Sequence, residues 1–240
     1  MIALHTDVSI FRRFTAELDA TAPRDVPGAP DLSRYARGDI DAARVAWAGR
    51  IVDEYRSVAV FSELLRLLAD MEAPYPALCT VHRLIGDELR HTELTARVVG
   101  WLGGHADLAI DLADCGLPPR EAAESARERA IMIVARELVV GEQESIYALA
   151  AYRDATTEPA IKAVLELVLF DEVRHAAAGR ALLAMLTDDE DRDRLASLLA
   201  DDRAKLRETY TASAQGGAGR ALGGSIVLGD IERYWARGAE

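Results

Sequence analysis

Apolar residues recur along this chain at three- and four-residue steps over long stretches, the period of amphipathic helices. From about Asp39 to Met71, Trp47, Ile51, Val58, Phe61, Leu65 and Leu68 trace one continuous face. The sequence EAPYP, residues 72–76, breaks it, and Pro76 suits the first turn of a second helix that runs to about Leu102, where Gly103 and Gly104 stop it. So short a break makes these two helices antiparallel neighbours. Residues 104–119, GHADLAIDLADCGLPP, are long enough to cross the length of a bundle. They lead to a third helix, about Arg120 to Asp154, which TTEP joins closely to a fourth, Pro159 to about Leu186. The pattern predicts an all-α protein, a four-helix bundle of two antiparallel hairpins joined by one long crossover.

Shorter elements flank this body. Val8, Phe11, Phe14 and Leu18 sit at helical spacing before the connector TAPRDVPGAPD. After DDED, residues 188–191, Leu195, Leu198, Leu199 and Leu206 predict a fifth helix ending near Ala214, its acidic start complementing the helix dipole. GGAGRALGG reads as a flexible link, and the last residues form a tail that docks through Ile226, Val227 and Trp235. The expected organisation is an N-terminal helix and connector (1–38), the bundle (39–187), and a fifth helix with tail (188–240).

Composition narrows the function. Half of the 240 residues are hydrophobic and 28% are charged, a globular balance with no apolar run long enough to span a membrane. The formal net charge of −12 and the lack of a Lys/Arg stripe argue against nucleic acid as a partner. The first residues lack a basic start followed by an apolar core, so the expected location is cytoplasmic. Cys79 and Cys115 have no Cys-x-x-Cys spacing and read as small buried hydrophobes.

The chemistry lies in a repeat. DELRH (Asp87 to His91) and DEVRH (Asp171 to His175) fall near the middle of the second and fourth helices, and each contains Glu-x-x-His. Residues three apart share a helix face, so Glu88 with His91, and Glu172 with His175, can each grip one metal ion. Both pairs lie on apolar stripes, where charges need compensation. The first helix offers Glu54, bracketed by Trp47, Ile51, Val58 and Phe61, with Glu63 as its rival. The third offers Glu142, flanked by Leu138, Val139, Ile146 and Leu149; Glu137 and Glu144 occupy a different face and are its substitutes, Glu137 especially. Four carboxylates balance two divalent cations. Asp87 and Asp171 have a further reading: Asp171 orients His91 across the bundle and Asp87 orients His175, unless each forms only a same-helix salt bridge. His82, Tyr55 and Tyr147 read as ordinary packing or rim residues, and DDED as a solvated helix start.

On RIVDEY, DELRH, VVGEQ and DEVRH, residues 39 to 187 resemble the ferritin-like superfamily, closer to its bacterial di-metal oxidases and oxygenases than to ferritins proper. The resemblance implies a dinuclear, usually di-iron, centre held by Glu54, Glu88, His91, Glu142, Glu172 and His175, with the four glutamates as the catalytic carboxylates. Manganese, or a mixed iron and manganese pair, is the alternative occupant. The implied activity is oxidation of a small-molecule substrate by dioxygen (hydroxylation, desaturation or N-oxygenation), with electrons from an external donor and with a homodimer as the plausible assembly. The alternative is a ferroxidase, peroxidase or manganese catalase handling iron or peroxide without an organic substrate. A rubredoxin-type donor would need Cys-x-x-Cys pairs, which this sequence lacks.

Overall fold

The computed structural model describes residues 28–105, 125–214 and 217–238. The expected N-terminal helix, Cys115 and most of the expected crossover lie outside them. The described residues are all-helical. We label the helices α1 (Arg37–Asp70), α2 (Tyr75–Trp101), α3 (Ala126–Ile133), α4 (Glu142–Ala155), α5 (Pro159–Leu186), α6 (Asp189–Ser213) and α7 (Leu228–Arg237). A π-helical segment, Val134–Gly141, joins α3 to α4 with helical backbone angles at both junctions. No described helix is long and apolar enough to cross a membrane.

Local chemistry sets the boundaries. Pro76 stands in the first turn of α2 and Pro159 opens α5, where a missing N–H costs nothing. Ser125 and Glu128 form a reciprocal capping box at α3, and Asp188 and Asp191 form another at α6. The DDED run is thus a helix cap.

Hairpins α1–α2 and α4–α5 pack side by side, α1 against α3 and α2 against α5. Their core comes in two apolar layers. Trp47 and Ile51 of α1, Leu94 and Val98 of α2, Leu149 of α4 and Ile161 to Val168 of α5 form one. Val60 and Leu64 of α1, Val81 and Leu84 of α2, Ile133 of α3, Leu138 of the π segment and Leu182 of α5 form the other. Early α1 meets late α2 and late α4, so neighbouring helices run antiparallel. α2 ends in the first layer and α3 begins in the second, so the chain between them joins opposite ends of the bundle. Each helix has a gap between its two layers, and those gaps carry the acids and histidines.

Several features depart from the sequence reading. Ser125 caps the third helix, which therefore starts at Ala126 and not at about Arg120. The third helix changes register: the Glu142 N–H bonds the Glu137 carbonyl, five residues back, which stacks these two acids on one face. The glycine-rich link is a packed corner. Leu222 is fully buried, the Trp47 Nε1–H donates to its carbonyl at 2.9 Å, and the Thr157 and Glu158 N–H groups donate to Ala221 at 3.0 and 3.1 Å. Gly224 lies on α1, where a Cβ would come 2.5 Å from the Ala43 Cα, so bare backbone is required. Cys79 is exposed on the outer face of α2 rather than buried. In the tail, Ile226 is buried and Trp235 partly buried, but Val227 faces solvent at 43% exposure.

α5 approaches the π segment at Gly179, where an added Cβ would sit 2.5 Å from the Leu138 Cβ and 2.9 Å from its carbonyl carbon. Because the obstacle includes backbone, Gly179→Ala should push the helices apart and cost about 1–3 kcal/mol of stability. Chemical denaturation of the two proteins measures this, and equal midpoints would show that the close approach is dispensable.

Candidate metal centre

The gaps between the layers bring all six predicted residues together. Glu54 of α1, Glu88 and His91 of α2, and Glu172 of α5 offer donor atoms within 4.8 Å of one another. Glu88, Glu142 of α4, Glu172 and His175 of α5 make a second such group. Glu88 and Glu172 belong to both. The His91 Nδ1 lies 3.5 Å from Glu54, 3.7 Å from Glu88 and 3.5 Å from Glu172. The His175 Nδ1 lies 3.0 Å from Glu88, 3.1 Å from Glu172 and 3.8 Å from Glu142. The imidazole centroids are 5.7 Å apart.

Behind each imidazole stands the aspartate of the opposite motif. The His91 Nε2 is 3.2 Å from Asp171, and the His175 Nε2 is 3.4 Å from Asp87. With Nε2 facing an acceptor, Nδ1 is left to face the cluster. Two arginines brace these acids. Arg90 reaches Asp87 at 3.1 Å and also bonds Asp171; Arg174 reaches Asp87 at 3.2 Å and Asp171 at 2.5 Å. Sequence reasoning passed over these arginines, although each occupies the same place in its motif, just before the histidine.

The rival acids are held elsewhere. Glu63 pairs with Arg129 at 3.1 Å, and Glu137 forms a two-bond pair with Arg56 at 2.7 and 2.9 Å. Glu144, fully buried, turns to α6 and accepts two 3.0 Å bonds from Arg207. His82 is exposed on α2.

The donor set fits a pair of cations. Buried carboxylates and imidazoles in this density are tolerable only if their charges are offset, and hard oxygen donors mixed with imidazole suit first-row divalent ions. Two buried atoms aimed into the cluster, Glu88 Oε1 and His91 Nδ1, have ring nitrogens or carboxylates close by but no well-aligned hydrogen bond among the described residues, as atoms reserved for an ion would. Without cations, protons must take their place. Burial and the Glu142 charge push Glu172 up to about 8, and burial raises Glu54 to about 7 and Glu142 in the same direction. Burial disfavours the His91 imidazolium, yet the acceptors around it, Asp171 first and then the carboxylates of Glu54 and Glu88, outweigh it and raise the group well above its ordinary value. His175 moves the same way against burial, through Asp87, Glu142 and Glu172. Burial also opposes ionisation of Asp87 and Asp171, but their histidine and arginine partners win and lower both.

A cleft of about 880 Å³ between α1, the π segment, α4 and α6 reaches the cluster, and Glu54, Glu88, Glu142 and Glu172 all line it. No protein-family model, curated protein or solved structure matches the chain. What the site does must be read from its own geometry.

Raised carboxyl and imidazole groups give the metal-free fold more bound protons than the unfolded chain. Its stability should therefore fall as pH rises from about 5 toward 8, through the range where Glu54 and Glu172 ionise. Divalent ions should displace those protons and reverse the trend. Thermal melts at pH 6 and 8, with chelator and with ferrous or manganous ion, test the sign; a metal-free protein that melts higher at pH 8 would contradict it.

Proposed function

We propose that this chain is a ferritin-like di-metal protein whose centre, iron by preference and manganese by the same donor chemistry, oxidises a small molecule with dioxygen. The observation that carries this reading is the cleft. Its volume of about 880 Å³ is suited to an organic ligand, and it ends on four carboxylates of the cluster. Dioxygen or peroxide alone needs far less room.

Glu54 and His91 would serve one ion and Glu142 and His175 the other, while Glu88 and Glu172 belong to both donor groups. Bound there, a redox-active pair supplies the electrons and Lewis acidity for reducing dioxygen. The chain contributes position and exclusion. Asp171 and Asp87 accept from the far nitrogens of the histidines and fix their tautomer. The two apolar layers shut water out above and below, so fields inside the cluster are weakly screened. The electron donor and the assembly of chains belong to the proposal as an external reductant and a homodimer. A ferroxidase or peroxidase is the competing activity of the same ligands.

Metal analysis of anaerobically iron-loaded protein should find two ions per chain. Glu88→Ala or Glu172→Ala should lose both, because each acid belongs to both groups, whereas Glu54→Ala or Glu142→Ala should lose one selectively. Two ions retained in Glu88→Ala would sink the assignment. Dioxygen uptake that depends on an added organic substrate supports the oxidase; uptake that tracks ferrous iron alone supports the ferroxidase.

A further inference from the structure

Among the described residues, four cationic side chains line the cleft: Arg50, Arg56, Arg136 and Lys205. Three already face acids. Arg56 holds Glu137, Arg136 holds Asp202 at 2.8 Å, and Lys205 lies 3.8 Å from the same Asp202. Arg50 has no carboxylate within ion-pairing distance among the described residues; Asp53, whose carboxyl feels the charge of both Arg50 and Arg56, stands farther off. Yet Arg50 is not loose. Its guanidinium carbon sits 4.5 Å from the Trp47 ring centroid and 4.1 Å from that of Tyr152. Its Nη1 donates to the Gly223 carbonyl at 2.8 Å. Two aromatic faces and one carbonyl thus fix the plane of the fork and leave its other N–H groups without a partner among the described residues.

A guanidinium held this way is prepared for a planar anion, which it binds through two parallel hydrogen bonds at little further entropic cost. Its place on α1 gives the direction. Arg50 lies one turn before Glu54, so the two side chains share a face of the helix, about 6 Å apart at Cβ. With its charges offset by two divalent ions, the cluster would not repel an acid bound one turn away.

We propose that Arg50 is a substrate-recognition residue and that the cleft takes a small molecule bearing a carboxylate, its acid end on the guanidinium and its body directed toward Glu54 and Glu142. This deepens the reading of the cleft as a substrate site and rests on it. Arg50 touches the substrate in this scheme but holds no ion.

Calorimetry of the full chain with 4-ethylbenzoate and octanoate, against 4-ethylbenzamide and octanamide, tests the idea with and without iron. Each acid should bind at least about tenfold tighter than its amide, the scale of a charge-assisted pair. Arg50→Gln should erase that preference and Arg50→Lys should keep part of it. Equal binding of acids and amides, no binding of any probe, or an undiminished preference in Arg50→Gln would overturn the proposal. So would acid binding that survives Arg50→Gln but vanishes when iron is withheld, since the carboxylate would then sit on the cations. Should Arg50→Gln fail to fold, the comparison of acids with amides on the unaltered chain and on Arg50→Lys still decides. A crystal grown with 4-bromobenzoate should place its acid end on Arg50, and an acid end elsewhere counts against it. An Arg50-dependent preference in a chain that binds no iron would leave this proposal standing while the oxidase reading falls.

Discussion

Four carboxylates and two imidazoles share the middle of this bundle, and their mutual charge is the constraint to which the rest of the structure answers. Left ionised without compensation, each buried acid would cost several kcal/mol. That charge can be relieved by protons, which the raised Glu54 and Glu172 favour, or by cations, which the two donor groups could hold. The apolar core is divided into two layers so that a polar slab can run between them, with every helix of the two hairpins contributing to it.

The slab is nearly two-fold symmetric. Each hairpin provides one acid from its first helix and Glu-x-x-His from its second, and each histidine is braced by the other hairpin's aspartate. Arg90 and Arg174 tie both aspartates together across the α2–α5 boundary. Orientation of the imidazoles is thus a property of the interface between hairpins. Neither half could hold its own histidine in place alone.

Much of this was legible in the sequence because a helix converts spacing into direction. The three-residue step in DELRH and DEVRH, and the apolar brackets around Glu54 and Glu142, were enough to point six side chains inward. Periodicity also found three of the four long helices to within two residues, but the third in chain order starts at Ala126, after the Ser125 cap, and not at about Arg120. It failed where backbone departs from the 3.6-residue repeat. The π segment shifts the register between Val134 and Gly141, and apolar spacing of a few residues cannot separate five-residue from four-residue hydrogen bonding. The glycine-rich corner looked flexible because glycine reports freedom of the backbone and says nothing of what presses on it; here Ala43 and Trp47 do. Long-range pairs such as Glu144 with Arg207, or Arg56 with Glu137, join residues too far apart in sequence for any local pattern to reveal.

The sixth helix breaks the symmetry. It lies along the π segment and α4, and has no counterpart on the first hairpin among the described residues. The acids Glu54 and Glu142 consequently look out on a walled chamber, while the imidazole side is shut by the arginine and aspartate lattice. Such a centre has a front and a back. Any guest entering from the front meets one face of it only, always from the same side, so a prochiral molecule held in one orientation would present a single face to whatever chemistry happens there.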